Sequence, residues 1–158
     1  LPLILALQAD AAALAWWLLL MAGLSDAADG WLARRAGGGS SWGARLDPLT
    51  DKVLIAAPLL WLAAAGTLPL WAVWLLLARE LLISGWRSQA GDGGPASLAG
   101  KAKTVLQFLA LLLMLWPPSW SGHQQLLVAG WWLFWPSLLL AVSSAVAYIR
   151  PRSGPHQR

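Results

Sequence analysis

LSDAADGWLARRAGGGSSWGARLDPLTDK, residues 24–52, decides how this chain folds. It follows the apolar run AAALAWWLLLMAG and places Asp26, Asp29, Asp47 and Asp51 beside Arg34, Arg35, Arg45 and Lys52. A charge in or beside a bilayer costs roughly 2.5 to 3.5 kcal/mol on insertion scales, so charges in such a place point to function. The whole chain is 58% hydrophobic and only 11% charged, with mean hydropathy +0.59. A soluble domain carries about 25% charged residues, so this one cannot cover itself for water. Five apolar segments are readable, at 11–25, 48–66, 69–88, 97–116 and 126–149. Several approach the ~20 residues that cross ~30 Å of hydrocarbon, where a helix is the economical way to satisfy the backbone. LPLILAL at 1–7 reads as the tail of a further helix. The expected fold is an all-α, polytopic transmembrane helical bundle.

The charges give the bundle an orientation. All 11 basic residues fall after the first segment, on the third or just after it, at the start of the fourth, or after the fifth. The alternate connections, 66–69 and 117–125, carry none. With five crossings, every Lys and Arg lies on one side, and the positive-inside rule makes that side the cytoplasm. The chain is therefore expected to be a multi-pass integral membrane protein, with a membrane domain over 1–150 and a disordered cytoplasmic tail over 151–158. A net charge of +4 does not imply nucleic acid here, because the basic residues sit between apolar spans. With no cysteine, disulfides and thiolate metal sites are excluded. AGGGSS at 36–41 and SQAGDGGPAS at 88–97 are read as polar turns on the basic side.

Four of the seven acids lie between 26 and 51. Asp26 and Asp29 are spaced i, i+3, and Asp47 and Asp51 i, i+4, so each pair shares a helix face. A short turn makes the two helices antiparallel neighbours, and the four carboxylates converge at the cytoplasmic edge. Protons or cations must neutralise them. Hard oxygen donors without Cys or His favour Mg²⁺, Mn²⁺ or Ca²⁺, and a two-metal cluster suits phosphoryl chemistry. Gly30 and Ala33 share the face of the first pair and Gly43 that of the second, leaving room for a ligand near the backbone. Close helix packing through small residues is the competing reading for these three.

Asp26, Asp29, Gly30, Ala33, Arg34, Gly43, Asp47 and Asp51 together form Asp-x2-Asp-Gly-x2-Ala-Arg-x8-Gly-x3-Asp-x3-Asp. This resembles the signature of the CDP-alcohol phosphatidyltransferases. The resemblance implies a six-helix membrane enzyme, its first helix mostly missing here, with a polar cavity opening to the cytoplasm. It implies that Asp26, Asp29, Asp47 and Asp51 bind two divalent ions, Mg²⁺ or Mn²⁺. It assigns Asp26 and Asp29 with Gly30, Ala33, Arg34 and Gly43 to the CDP moiety, and it makes Asp51 the general base. It also implies a homodimer. Arg45 sits where relatives often have an apolar or small residue, and it could snorkel or touch a phosphate.

ARELLISGWRSQ and SLAGKAKTVLQ further resemble the phosphatidylglycerophosphate synthases within that family. The implied substrates are CDP-diacylglycerol and sn-glycerol 3-phosphate, and the implied acceptor-phosphate residues are Arg79, Arg87, Lys101 and Lys103. The physics agrees with an anionic acceptor. Arg79 lies in an apolar segment, and Glu80, about 100° round the helix, is not an obvious partner for it. Lys101 and Lys103 oppose the dipole at a helix start, where an anion would relieve them. Contact with membrane lipid headgroups is the competing reading for these cations. Other acceptors (inositol phosphate, serine, phosphatidylglycerol) keep the same chemistry. A cation transporter is the alternative of another class, but transporters bind near the midplane on broken helices. His123 lies on the side opposite the acids and His156 in the tail; neither receives a role.

Overall fold

The computed structural model describes residues 1–35, 43–90 and 98–149, with side chains except at 30–31, 33–34, 43–52, 86–90, 98–101 and 147–149. The expected turns at 36–41 and 88–97 therefore lie largely outside the described residues, as does the tail. What is described is all helix and turn. The helices are α1 (Pro2–Gln8), α2 (Ala12–Arg35), α3 (Gly43–Ala64), α4 (Leu70–Ala90), α5 (Leu98–Met114) and α6 (His123–Ile149). Runs of Leu, Ala and Trp without interior proline favour helix in α2 and α5. Pro2 sits in the first turn of α1, where its missing N–H costs nothing. Pro136 lies inside α6, which continues through it, as helices packed in a membrane can.

The three described turns lie at one end of the bundle, because successive helices run up and down. Each contains a residue with left-handed backbone: Asp10 (φ 52°), Gly66 (φ 73°) and Gly122 (φ 80°). Glycine adopts this conformation freely, and Asp is among the few other residues that tolerate it. The buried apolar core gathers in the same half. Leu7, Leu19, Leu62, Val73, Leu111 and Phe134 are all sealed there, one from each helix. Lipid tails are as apolar as these side chains, so the gain comes from close packing, at ~0.1–0.2 kcal/mol per atom contact.

Two glycines set how closely the helices approach. A Cβ on Gly130 of α6 would stand 2.8 Å from the Ala110 carbonyl oxygen of α5, and one on Gly23 of α2 would run into the Phe108 ring. Tryptophans mark the turn end. Trp16, Trp116 and Trp120 meet edge to face at 5.0–5.3 Å. The Trp16 indole donates to the Leu112 carbonyl at 2.9 Å, joining α2 to α5.

Two stretches, Ala12–Asp29 and His123–Val146, are long and apolar enough to cross a membrane by length and composition. Val53–Ala64 and Ala102–Met114 are apolar but shorter. The five expected segments all form helices. In α3 and α5 the stretches begin where the described side chains begin, at Val53 and Ala102. The helices also outrun the apolar segments. α2 continues ten residues past Ser25, because Ala, Leu and Arg sustain helix after hydrophobicity stops.

Candidate active site

That extension changes where the acids stand. Asp26 and Asp29 lie within α2, nine and six residues before its end, and their side chains are exposed. At 1.5 Å per residue this puts them ~9–14 Å inside the helix end. Asp47 and Asp51 lie four and eight residues into α3. The two pairs lie on two helices that pack against each other. The side chains of Asp47 and Asp51, and those of Gly30, Ala33, Arg34, Gly43 and Arg45, lie outside the described residues. The expected convergence of the four carboxylates therefore lies outside the described residues, and among the described residues no group of three or more Asp, Glu or His gathers.

The second constellation is described in detail and differs from expectation. Arg79 is paired with its neighbour Glu80: Nη1 donates to Glu80 Oε1 at 2.9 Å. The Cα–Cβ directions diverge, but the long guanidinium stem folds back across that angle. The same guanidinium reaches α6. Nε donates to the Ala141 carbonyl at 2.9 Å, and Nη2 donates to Ser144 Oγ at 2.6 Å. Ser144 Oγ in turn donates to the Ala141 carbonyl at 2.9 Å, which closes a ring of bonds. Lys103 of α5 also donates to Glu80 Oε1. The three side chains are 13%, 19% and 7% exposed, so the cluster is largely withdrawn from solvent.

Arg79 is thus paired within the protein, which removes the argument that only a substrate anion could satisfy it. Its bonds leave over the second N–H of each terminal nitrogen. Gln107, one turn past Lys103, is 2% exposed, so the face of α5 below the cluster is buried as well. Arg87 and Lys101 lie on α4 and α5, with side chains outside the described residues. Lys103 makes a further interaction beyond its bond to Glu80.

Sequence reasoning missed Glu80 as the shared partner and Ser144 altogether. A signal for Ser144 was present. Ser143 and Ser144, like Ser137, are polar residues in a largely apolar span, where an unpaired hydroxyl is costly. His123 stands at the turn end, its Nδ1 2.6 Å from the Trp116 carbonyl, remote along the chain from every acid of the motif.

Comparison with known proteins bears on the whole arrangement. The family model described as CDP-alcohol phosphatidyltransferase matches residues 1–143. A Mycobacterium tuberculosis protein named "Probable phosphatidylglycerophosphate synthase" is 37% identical over 137 residues, covering 85% of this chain and 64% of the relative. Proteins named CDP-diacylglycerol–glycerol-3-phosphate 3-phosphatidyltransferase are similar too. That of Rickettsia felis is 30% identical over 136 residues, 84% of this chain and 75% of the relative. That of Salmonella typhimurium is 33% identical over 144 residues, 85% and 75%. The chain thus spans about 64% of the length of its mycobacterial relative.

Proposed function

The chain belongs to the CDP-alcohol phosphatidyltransferase family, and from that premise we propose that it transfers a phosphatidyl group from CDP-diacylglycerol to sn-glycerol 3-phosphate. The products are phosphatidylglycerophosphate and CMP. The observation that carries the reading is the complete eight-residue motif from Asp26 to Asp51, laid along two packed helices. The acceptor is supported by the names of the relatives and by the basic residues of α4 and α5.

The donor set suits a divalent cation: four carboxylates, no cysteine, and Asp26 and Asp29 exposed on one helix. Asp26, Asp29, Asp47 and Asp51 would hold two ions, Mg²⁺ or Mn²⁺. Bound there, they supply charge neutralisation for a diphosphate and for the oxygens that gain charge in transfer. Gly30, Ala33 and Gly43 leave room at the helix surfaces for the CDP moiety, and Arg34 offers a bidentate phosphate contact. Asp51 takes the proton from the acceptor hydroxyl. That oxygen forms a bond to the lipid-side phosphorus, the phosphorus–oxygen bond to CMP breaks, and CMP leaves with the electron pair. Lys101, Lys103, Arg87 and Arg79 give the acceptor side its positive charge, which favours a phosphorylated alcohol over serine.

The bundle crosses the membrane several times, with the motif end in the cytoplasm, as the one-sided distribution of Lys and Arg supports. The experiment is CMP release by the purified protein in detergent, with CDP-diacylglycerol, Mg²⁺ and one acceptor at a time. Release that needs glycerol 3-phosphate and stops with EDTA is expected. Release with another alcohol alone would replace the acceptor and keep the chemistry.

A further inference from the structure

We propose that Glu80 is a positioning residue for the acceptor phosphate, an inference that rests on the reading above that the acceptor is a phosphorylated alcohol. Among the described residues α4 and α5 have no close backbone approach, although each packs on α3 and α6. The Glu80–Lys103 pair reaches across that gap. One carboxylate oxygen, Oε1, receives both Lys103 from α5 and Arg79 from its own helix. Arg79 is fixed from behind by the Ala141 carbonyl and Ser144 of α6. Arg79 and Glu80 of α4 therefore tie α6 and α5 together, beside the buried Ala141 of the core. Hydrogen bonds to charged groups set the side-chain register there.

The cluster has the character an anion site needs. Two cations and one carboxylate leave one net positive charge. Lys103 stands five residues past Leu98, the first described residue of α5. An arriving phosphate meets cations whose stems are already ordered, so less rotamer freedom is lost on binding. Without the carboxylate, Arg79 and Lys103 would repel each other, and Lys103 would lose one of the contacts that hold it.

The test compares KM values for the two substrates in the full chain, purified in detergent. Glu80→Gln keeps the shape and removes the charge. It should raise the KM for glycerol 3-phosphate about tenfold, the order expected when one charge-assisted hydrogen bond is lost, and leave that for CDP-diacylglycerol within about twofold. Glu80→Asp should recover most of the loss. Ser144→Ala, which alters no charge and only loosens Arg79, should raise the acceptor KM a few-fold, and it decides the matter on the same split should Glu80→Gln not fold. An unchanged or lowered acceptor KM would overturn the proposal, as would equal rises for both substrates, which mark a general clasp. A wild-type enzyme that ignores glycerol 3-phosphate yet turns over another alcohol would instead overturn the acceptor reading beneath it.

Discussion

Replacing Arg79 by alanine tests how the middle of the bundle is held. The side chain makes three hydrogen bonds, to Glu80 Oε1, the Ala141 carbonyl and Ser144 Oγ. Hydrogen bonds to charged groups are worth about 1.5–3 kcal/mol each when a partner is stranded. None of the three partners is fully stranded, because Glu80 keeps Lys103 and the Ala141 carbonyl keeps Ser144. The guanidinium is also 13% exposed, which screens its charge a little. A net loss of about 2–3 kcal/mol is the reasonable sum. For a chain of this size that lowers the melting temperature by ~4–12 °C. The assay is thermal unfolding in detergent followed by tryptophan fluorescence. Arg79→Lys keeps the charge but cannot reach three acceptors at once, so it should fall between alanine and wild type. An alanine variant melting within about 1 °C of wild type would refute the reasoning, for the clasp would then hold nothing.

Other outcomes follow from the same account. Asp51→Asn should cut turnover by at least about 100-fold, the usual worth of a general base, while CDP-diacylglycerol binding measured by titration is largely kept; wild-type turnover would remove the base assignment. Asp26→Asn should weaken that binding more than Asp51→Asn does. Lys101→Ala should raise the KM for the acceptor more than that for CDP-diacylglycerol, and an unchanged acceptor KM would return this lysine to headgroup contact. Gly130→Val should destabilise by about 1–3 kcal/mol, because its Cβ would press on the Ala110 carbonyl at 2.8 Å; an unchanged melting temperature would mean that α5 and α6 can part freely.

The helices were legible in the sequence because a membrane leaves the backbone few options, and each apolar segment became one. Their ends were not. Hydrophobicity stops at Ser25, whereas α2 runs on to Arg35, since helix propensity and lipid exposure are separate properties. The motif could be read because eight residues at fixed spacing carry the resemblance, and its acids fall on α2 and α3. Glu80 was misjudged because the 100° rule describes where Cβ points, not where a flexible four-bond stem ends. Ser144 and the Ala141 carbonyl are about 60 residues from Arg79 in sequence. Nothing local joins them, and only the packing of α4 on α6 brings them into reach.

The central claim is that this chain joins a phosphatidyl group to glycerol 3-phosphate. The most direct measurement offers the purified protein CDP-diacylglycerol, Mg²⁺ and an equal mixture of glycerol 3-phosphate, serine, inositol phosphate and phosphatidylglycerol, then identifies the lipid products by mass spectrometry. The account predicts phosphatidylglycerophosphate as the dominant product, formed at least about 100-fold more slowly by Asp51→Asn. A dominant product built on any other acceptor, or the same product formed at the wild-type rate by the variant, would contradict it.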